Sequence, residues 1–457
     1  MELSGEIFRE YDIRGVVGAD LDAGVAHLVG QAFGTYLDRR GARRVAVGHD
    51  NRHSSPELYH AVIDGLRSAG RDVVALGLVL TPMLYFALHR LPVEGGVMVT
   101  ASHNPPEFNG FKLAHGPGTL YGPQIQEVYR LARSGDLVRG AGGLEARAIV
   151  PDYAAELAER IRLGPGRLRV ALDCGNGTAG AFAPDILARW GCTVVPLYCE
   201  PDPTFPHHHP DPVDPRNLAD LIRVVRDEGA DLGLGIDGDG DRLGVVDDRG
   251  EILWGDLLMA LFWREVLQAH PGAVALVEVK CSQALVDEIL RLGGRPEWTR
   301  TGHSLIKARM RELGAVFTGE MSGHLFFADE YYGYDDALYA AGRLLRLLTR
   351  SGRKLSDLVA EIPRYHATPE IRVPCPDSRK FQVVEEVTRE LRGRFEVIDV
   401  DGVRVQLPDG WALVRASNTQ PVLVVRAEGR TPEALARAKA VVEEALRRHP
   451  EVGPLVW

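Results

Sequence analysis

The chain has 457 residues, 45% of them hydrophobic and 25% charged, with a formal net charge of -10. That length exceeds what one hydrophobic core organises and predicts three or four domains of ~100–150 residues, while an acidic balance with no basic block excludes a nucleic-acid partner. Met1-Glu2-Leu3-Ser4-Gly5-Glu6 does not read as a signal peptide and no apolar stretch reaches a membrane span; five scattered cysteines (174, 192, 199, 281, 375) without a C-x-x-C pair suit a reducing cytoplasm.

The first block runs from residue 1 to 148. After a polar segment, Phe8-Arg-Glu-Tyr-Asp-Ile-Arg14-Gly15, its patterning predicts helices over 24–40, 55–69, 82–89 and 122–134 and strands over 44–48, 72–76 and 95–99. The glycine-rich stretch 134–143 reads as a linker. A second block, 149–250, repeats the alternation with strands at 168–172 and 193–197 and helices at 153–162 and 217–228. A third, 251–363, does so with helices at 254–269, 282–292 and 335–349 and strands at 273–279 and 315–318. Strands alternating with helices of this length indicate βαβ units. The last block, 364–457, differs: turns at Asp401-Gly402 and Asp409-Gly410 mark a meander, and Thr431-Pro432-Glu433 opens a terminal helix. The fold expected is three tandem α/β domains with mixed, largely parallel sheets plus a smaller C-terminal α+β domain, arranged around a central cleft.

Four loops carry chemistry. Thr100-Ala-Ser102-His103-Asn104-Pro105 follows an apolar strand and holds out a hydroxyl, which needs a base or a metal to become a nucleophile. Asp237-Gly-Asp239-Gly-Asp241-Arg242 lies between apolar strands, and carboxylates at i, i+2, i+4 can curl around one hard cation. An EF-hand is excluded because strands rather than helices flank the loop and position 12 is Asp248. Gly319-Glu320-Met321-Ser322-Gly323-His324 spaces Glu320 and Ser322 to bind vicinal sugar hydroxyls. Arg415-Ala-Ser417-Asn418-Thr419-Gln-Pro421 clusters a guanidinium, hydroxyls and an amide suited to phosphate.

Gly175-Asn-Gly-Thr-Ala-Gly180, with Glu200 downstream, matches a dinucleotide fingerprint, and an NAD-dependent dehydrogenase is one reading of it. Its mid-chain place, and the other loops it would leave without roles, favour a tight strand-to-helix turn. His207-His208-His209 is read as a proline-bounded loop rather than a metal site. Only six lysines occur, at 112, 280, 307, 354, 380 and 439, so a lysine kept beside a motif suggests a compact ammonium that can exchange a proton. Lys112 and Lys280 are such residues.

Together these motifs resemble the α-D-phosphohexomutase family, in its bacterial phosphomannomutase/phosphoglucomutase branch, from Phe8 through Asn418. The resemblance implies an isomerase of carbohydrate metabolism interconverting hexose 1-phosphate and hexose 6-phosphate through phosphoserine at Ser102 and a hexose 1,6-bisphosphate, which also serves as activator. It implies one Mg²⁺ held by Ser102, Asp237, Asp239 and Asp241. The catalytic set would be Ser102, His103, Lys112, Arg242, His324 and Arg14, with Lys112 and His324 as general acid/base and Lys112 lowered in pKa by cationic neighbours. Substrate would be held by Tyr11, Lys280, Thr301, Gly302, His303, Glu320, Ser322, Arg415, Ser417, Asn418 and Thr419. A phosphoglucosamine mutase and a metal-dependent sugar phosphatase with a serine nucleophile are the alternatives. The expected partners are phosphosugars alone, with no nucleic acid or membrane, for a monomer or homodimer in the cytoplasm.

Overall fold

The computed structural model describes residues 3–418 and 420–457. They fall into two compact units, one reaching Gly255 and including Ser322–Leu358, the other made of Asp256–Met321 and Val359–Trp457.

In the first unit, the apolar runs Arg44–His49, Asp72–Leu78 and Gly95–Val99 pair in parallel, as alternation with helices requires. The flank departs from the sequence expectation. Phe108–His115 adds antiparallel to Gly95–Val99, and Ile13–Val16 adds antiparallel to it in turn. This strand escapes pattern reading because Asn109, Gly110 and Lys112 interrupt its apolar alternation. It places Lys112 opposite Met98, in the sheet interior. Helices Ala23–Asp38 and Ser55–Ser68 cross closely through glycine: a Cβ on Gly65 would meet His27 O at 2.1 Å, and one on Gly30 would meet Val62 O at 2.4 Å.

The unit's second sheet has the order Ile252–Leu253, Leu243–Asp247, Leu232–Ile236, Arg169–Asp173, Thr193–Leu197. Leu232–Ile236 is buried throughout and pairs antiparallel with Leu243–Asp247, so Asp237–Arg242 becomes the turn of a buried hairpin. Both sheets are mixed, with parallel centres.

In the second unit, Val274–Glu278 and Arg295–Thr299 pair in parallel. The C-terminal sheet is antiparallel, running His366–Ala367, Val422–Gly429, Gly410–Ala416, Val403–Leu407, Glu396–Ile398. Ile371–Pro374 also pairs with Val422–Gly429, and helices Lys380–Arg392 and Pro432–Leu446 contribute to its core. Thr431 caps the last helix, its hydroxyl accepting from Ala434 N at 3.2 Å. Arg404, fully buried between the rings of Trp411 and Trp298 at 3.6 and 4.2 Å, donates to Val279 O and Cys281 O. It ties the C-terminal sheet to the loop carrying Lys280. No helix among the described residues is long and apolar enough to cross a membrane.

Candidate active site

The serine loop begins where Gly95–Val99 ends. Ser102 adopts φ +50, a left-handed conformation unusual for a residue with a side chain. Its amide donates to Thr100 Oγ1 at 2.9 Å and Asn104 N donates to Ala101 O at 3.0 Å, closing a tight turn. The hydroxyl donates to Asp237 Oδ2 at 2.7 Å. With its single hydrogen used there, His103 Nδ1, 3.1 Å from the same oxygen, is the donor to it.

The carboxylate loop is fully buried. Asp237 Oδ1 accepts three backbone amides, from Gly240, Asp241 and Arg242 at 3.0–3.1 Å, which leaves Oδ2 as its outward oxygen. Thr81 Oγ1 donates to Asp239 Oδ2 at 2.6 Å. Lys112 Nζ donates to Asp239 Oδ2 at 2.8 Å and also to Asp241 Oδ2. Burial and the neighbouring Asp241 and Asp239 push Asp237 well above the usual carboxylate range. Burial acts the same way on Asp239, but the Lys112 charge outweighs it and holds that group down.

Lys112 therefore corrects the expectation drawn from cationic neighbours. Burial alone would lower its pKa, but Asp239 and Asp241 raise it well above the ordinary value, so it stands as a firm ammonium. His103 moves the opposite way, held neutral by desolvation and the charges of Arg242 and Arg14.

One oxygen from each of Asp237, Asp239 and Asp241 lies within 4.8 Å of the others. Among the described residues, Asp239 Oδ1 and Asp241 Oδ1 are buried with no hydrogen-bond donor. Buried carboxylate oxygens without donors are costly unless a cation takes them, and three hard oxygen ligands suit a divalent ion such as Mg²⁺. The residues present fit such a group.

Arg242 Nε donates to His324 Nε2 at 3.0 Å, which assigns the imidazole proton to Nδ1, 2.9 Å from Asp335 Oδ2 and 3.6 Å from Asp241 Oδ1. Arg14 donates to Asn104 Oδ1 at 2.8 Å and to Asp12 at 2.5 Å. The structure thus gathers Ser102, His103, Lys112, Arg242, His324 and Arg14 on or around two loops of the first unit. Tyr11 is half-buried on the turn before Ile13, and Ser322 is half-buried at the start of the Ser322–Leu358 segment.

The second unit gathers most of the substrate set around buried carboxylates. Lys280 Nζ lies 3.1 Å from Glu370 and 3.6 Å from Glu278. Burial disfavours its charge, but Glu278 and Glu370 raise its pKa, while Lys280 holds Glu370 down at about 2. Thr301 Oγ1 donates to Glu278 at 2.6 Å, and Gly302 N, at φ +127, donates to Glu320 Oε1 at 2.8 Å. His303 opens the helix His303–Leu313, and Arg415 Nε donates to Asp401 at 3.0 Å. Ser417 is buried and its hydroxyl accepts from Gln420 N; Asn418 is half-buried. Thr419 lies outside the described residues.

Sequence reading missed Thr81, Asp335, Glu278, Glu370 and Asp401. A signal existed for one of them: Asp335-Asp336 precedes a helix, Asp336 supplies the cap at Tyr339 N, and a helix needs only one. His207 and His208 bind Asn176 and Asp173, as a loop reading requires. In the glycine loop, Gly175 (φ +50) and Asn176 (φ +56) turn the chain so that Thr178 N reaches Gly238 O at 3.0 Å, buttressing the carboxylate loop.

Four family models match in chain order. Phosphoglucomutase/phosphomannomutase alpha/beta/alpha domains I, II and III match residues 5–139, 151–250 and 254–365, and the C-terminal domain matches 370–445. A phosphomannomutase/phosphoglucomutase of Pseudomonas aeruginosa is 46% identical over 424 residues, covering 93% of this chain and 91% of its own. A phosphoglucomutase of Neisseria meningitidis is 41% identical over 428 residues, covering 93% of each. The crystal structure of a phosphoglucomutase/phosphomannomutase family protein from Burkholderia thailandensis superposes with a TM-score of 0.93 at 41% identity, covering 98% of both chains. With all four models matched in order on this architecture, the chain belongs to the phosphoglucomutase/phosphomannomutase family.

Proposed function

We infer that the protein is a phosphohexomutase that interconverts the 1- and 6-phosphates of mannose and/or glucose through phosphorylated Ser102 and a hexose 1,6-bisphosphate, with Mg²⁺ at the aspartate loop. The observation that carries this reading is the Ser102 hydroxyl 2.7 Å from Asp237 in a buried three-carboxylate loop. Asp237, Asp239 and Asp241 would hold the cation with an oxygen on Ser102, and its charge would polarise the phosphoryl group.

Phosphoryl transfer asks the protein mainly for alignment and charge neutralisation. The turn at Ser102 fixes the acceptor oxygen. Arg14 and Arg242, both near His103, bring permanent positive charge to where phosphate oxygens would lie. His103, neutral, donates to Ser102 Oγ without adding a competing charge. Lys112, a firm ammonium, is better suited to neutralising charge beside Asp239 and Asp241 than to the acid/base work expected of it, and His324 Nε2, a lone-pair acceptor that Arg242 occupies here, suits proton transfer when Arg242 turns to phosphate.

In the second unit, Lys280, Arg415, Ser417, Asn418 and Thr419 are assigned to the non-reacting phosphate, and Thr301, Gly302, His303 and Glu320 to the sugar; in the first unit, Tyr11 and Ser322 are assigned to substrate. The bisphosphate must turn over to return its other phosphate to Ser102, which is why phosphate, sugar and metal loops are separate. We further propose the domain limits 1–148, 149–250, 251–363 and 364–457, and a cytoplasmic monomer or homodimer; the scattered cysteines support the reducing setting.

The test is a coupled assay on mannose 1-phosphate and glucose 1-phosphate with Mg²⁺, wild type beside Ser102→Ala. The variant should lose at least about a thousandfold in kcat, as removal of an activated nucleophile does. Undiminished turnover would refute the reading. Release of one inorganic phosphate per substrate, without isomer, would make the protein a phosphatase.

A further inference from the structure

Arg52 lies 50 residues from Ser102 and is 1% exposed. It follows Asp50-Asn51 at the end of the strand Arg44–His49. Nη1 donates to Pro105 O at 2.7 Å and Phe108 O at 3.1 Å; Nη2 donates to Ser102 O at 2.8 Å and Asn104 O at 2.5 Å. The four terminal N–H groups of one guanidinium thus meet four carbonyls of one loop. Nε lies 3.3 Å from Asp50 Oδ2, and Asp50 Oδ1 is fixed by Arg52 N and the Ser55 hydroxyl.

The carbonyls of Ser102 (φ +50), Asn104 and Pro105 belong to the turn between the strands Gly95–Val99 and Phe108–His115, outside either ladder, and Phe108 opens the second strand. The Ser102 carbonyl is also walled on a second side: a Cβ on Gly238, in the aspartate loop, would stand 2.3 Å from it. A left-handed residue with a side chain costs ~1 kcal/mol or more and persists only where its surroundings over-determine it. A lysine cannot replace this grip, since its three donors radiate from one point whereas the guanidinium spreads four in a plane.

We propose that Arg52 is the positioning residue for phosphoryl transfer, holding the Ser102 turn so that the hydroxyl stays aimed at Asp237. Arg52 touches no reacting atom and acts through the backbone of the loop. The inference rests on the reading of Ser102 as phosphoryl carrier, and its test separates the two.

Arg52→Lys and Arg52→Gln are assayed beside Ser102→Ala. We expect kcat to fall by about 30- to 100-fold in both Arg52 variants, the scale of a ~1 Å misplacement, with KM for hexose 1-phosphate unchanged within about twofold. Phosphorylation of Ser102 by hexose 1,6-bisphosphate should slow by the same factor. In the wild-type chain, the amides of Ser102, Asn104 and Phe108 should exchange with deuterium at least about a hundredfold more slowly than in an unstructured peptide. This measurement stands whether or not a variant folds. Wild-type kcat in a folded Arg52 variant, a loss confined to KM, or free exchange of those amides would overturn the proposal. A dead Ser102→Ala beside active Arg52 variants sinks this inference alone; an active Ser102→Ala sinks the underlying reading as well.

Discussion

Lys112 shows how a side chain's chemistry depends on neighbours that its own segment does not contain. Its ammonium rests on Asp239 and Asp241, 127 and 129 residues away, and cancels part of a charge cluster that would otherwise repel itself. Replacing Asp239 by Asn removes one of the three carboxylates proposed to hold the cation and one partner of Lys112. We expect Mg²⁺ affinity by titration calorimetry to fall at least about tenfold, since affinity for a hard cation follows the number of charged ligands. Glu370 gives a pH prediction in the second unit. Its carboxyl is held at about 2 in the folded chain, chiefly by Lys280, against an ordinary 4.5. A depressed folded pKa means stabilisation that is complete above pH 4.5 and lost as pH falls toward 2. Glu370→Gln should therefore cost about 2 kcal/mol at pH 7 by denaturant titration, and the difference from wild type should shrink below about pH 4. A difference that held constant down to pH 3 would remove the ion pair as its cause.

At the scale of elements, the reactive groups sit on turns whose geometry is set by buried strands. Asp237–Arg242 is the turn of a hairpin buried on both arms, and Ser102 follows a strand buried at every position. Gly238→Ala would place a methyl against the Ser102 carbonyl, so both loops must yield. The expected result is a loss of about 1–3 kcal/mol in stability together with lost turnover, the overpacking cost appearing at the site itself. Gly65→Ala would drive two helices apart at His27 and should cost a similar amount in the melting transition, leaving kcat of the folded protein unchanged. The contrast between the two glycines checks that loop placement, and not general packing, governs turnover. The strand Phe108–His115 is the element hardest to see in sequence. It reads as loop because Asn109, Gly110 and Lys112 break its apolar alternation.

For the whole molecule, contiguity decided what could be read. The loops 100–105, 237–242, 319–324 and 415–421 are each short runs whose residue types point to a chemistry, and the alternation of strands and helices announces α/β blocks. Arg52, Thr81 and Glu370 were not legible, because each acts on a partner far along the chain: Arg52 on Ser102 across 50 positions, Thr81 on Asp239 across 158, Glu370 on Lys280 across 90. The division into two units was not legible either, since Arg404 joins residues 123 and 125 positions apart through the Trp411 and Trp298 rings.

The sequence by itself determined the inventory: which loops bear a hydroxyl, three spaced carboxylates, or a guanidinium among hydroxyls and an amide, and which strands and helices flank them. Such features follow from neighbours a few residues apart, whose geometry the backbone supplies locally. Only the tertiary structure decided the electrostatics and the posture of those groups. Lys112 is a firm cation and Ser102 is held in a left-handed turn because a buried group's charge state and conformation sum contributions from segments that meet only after folding.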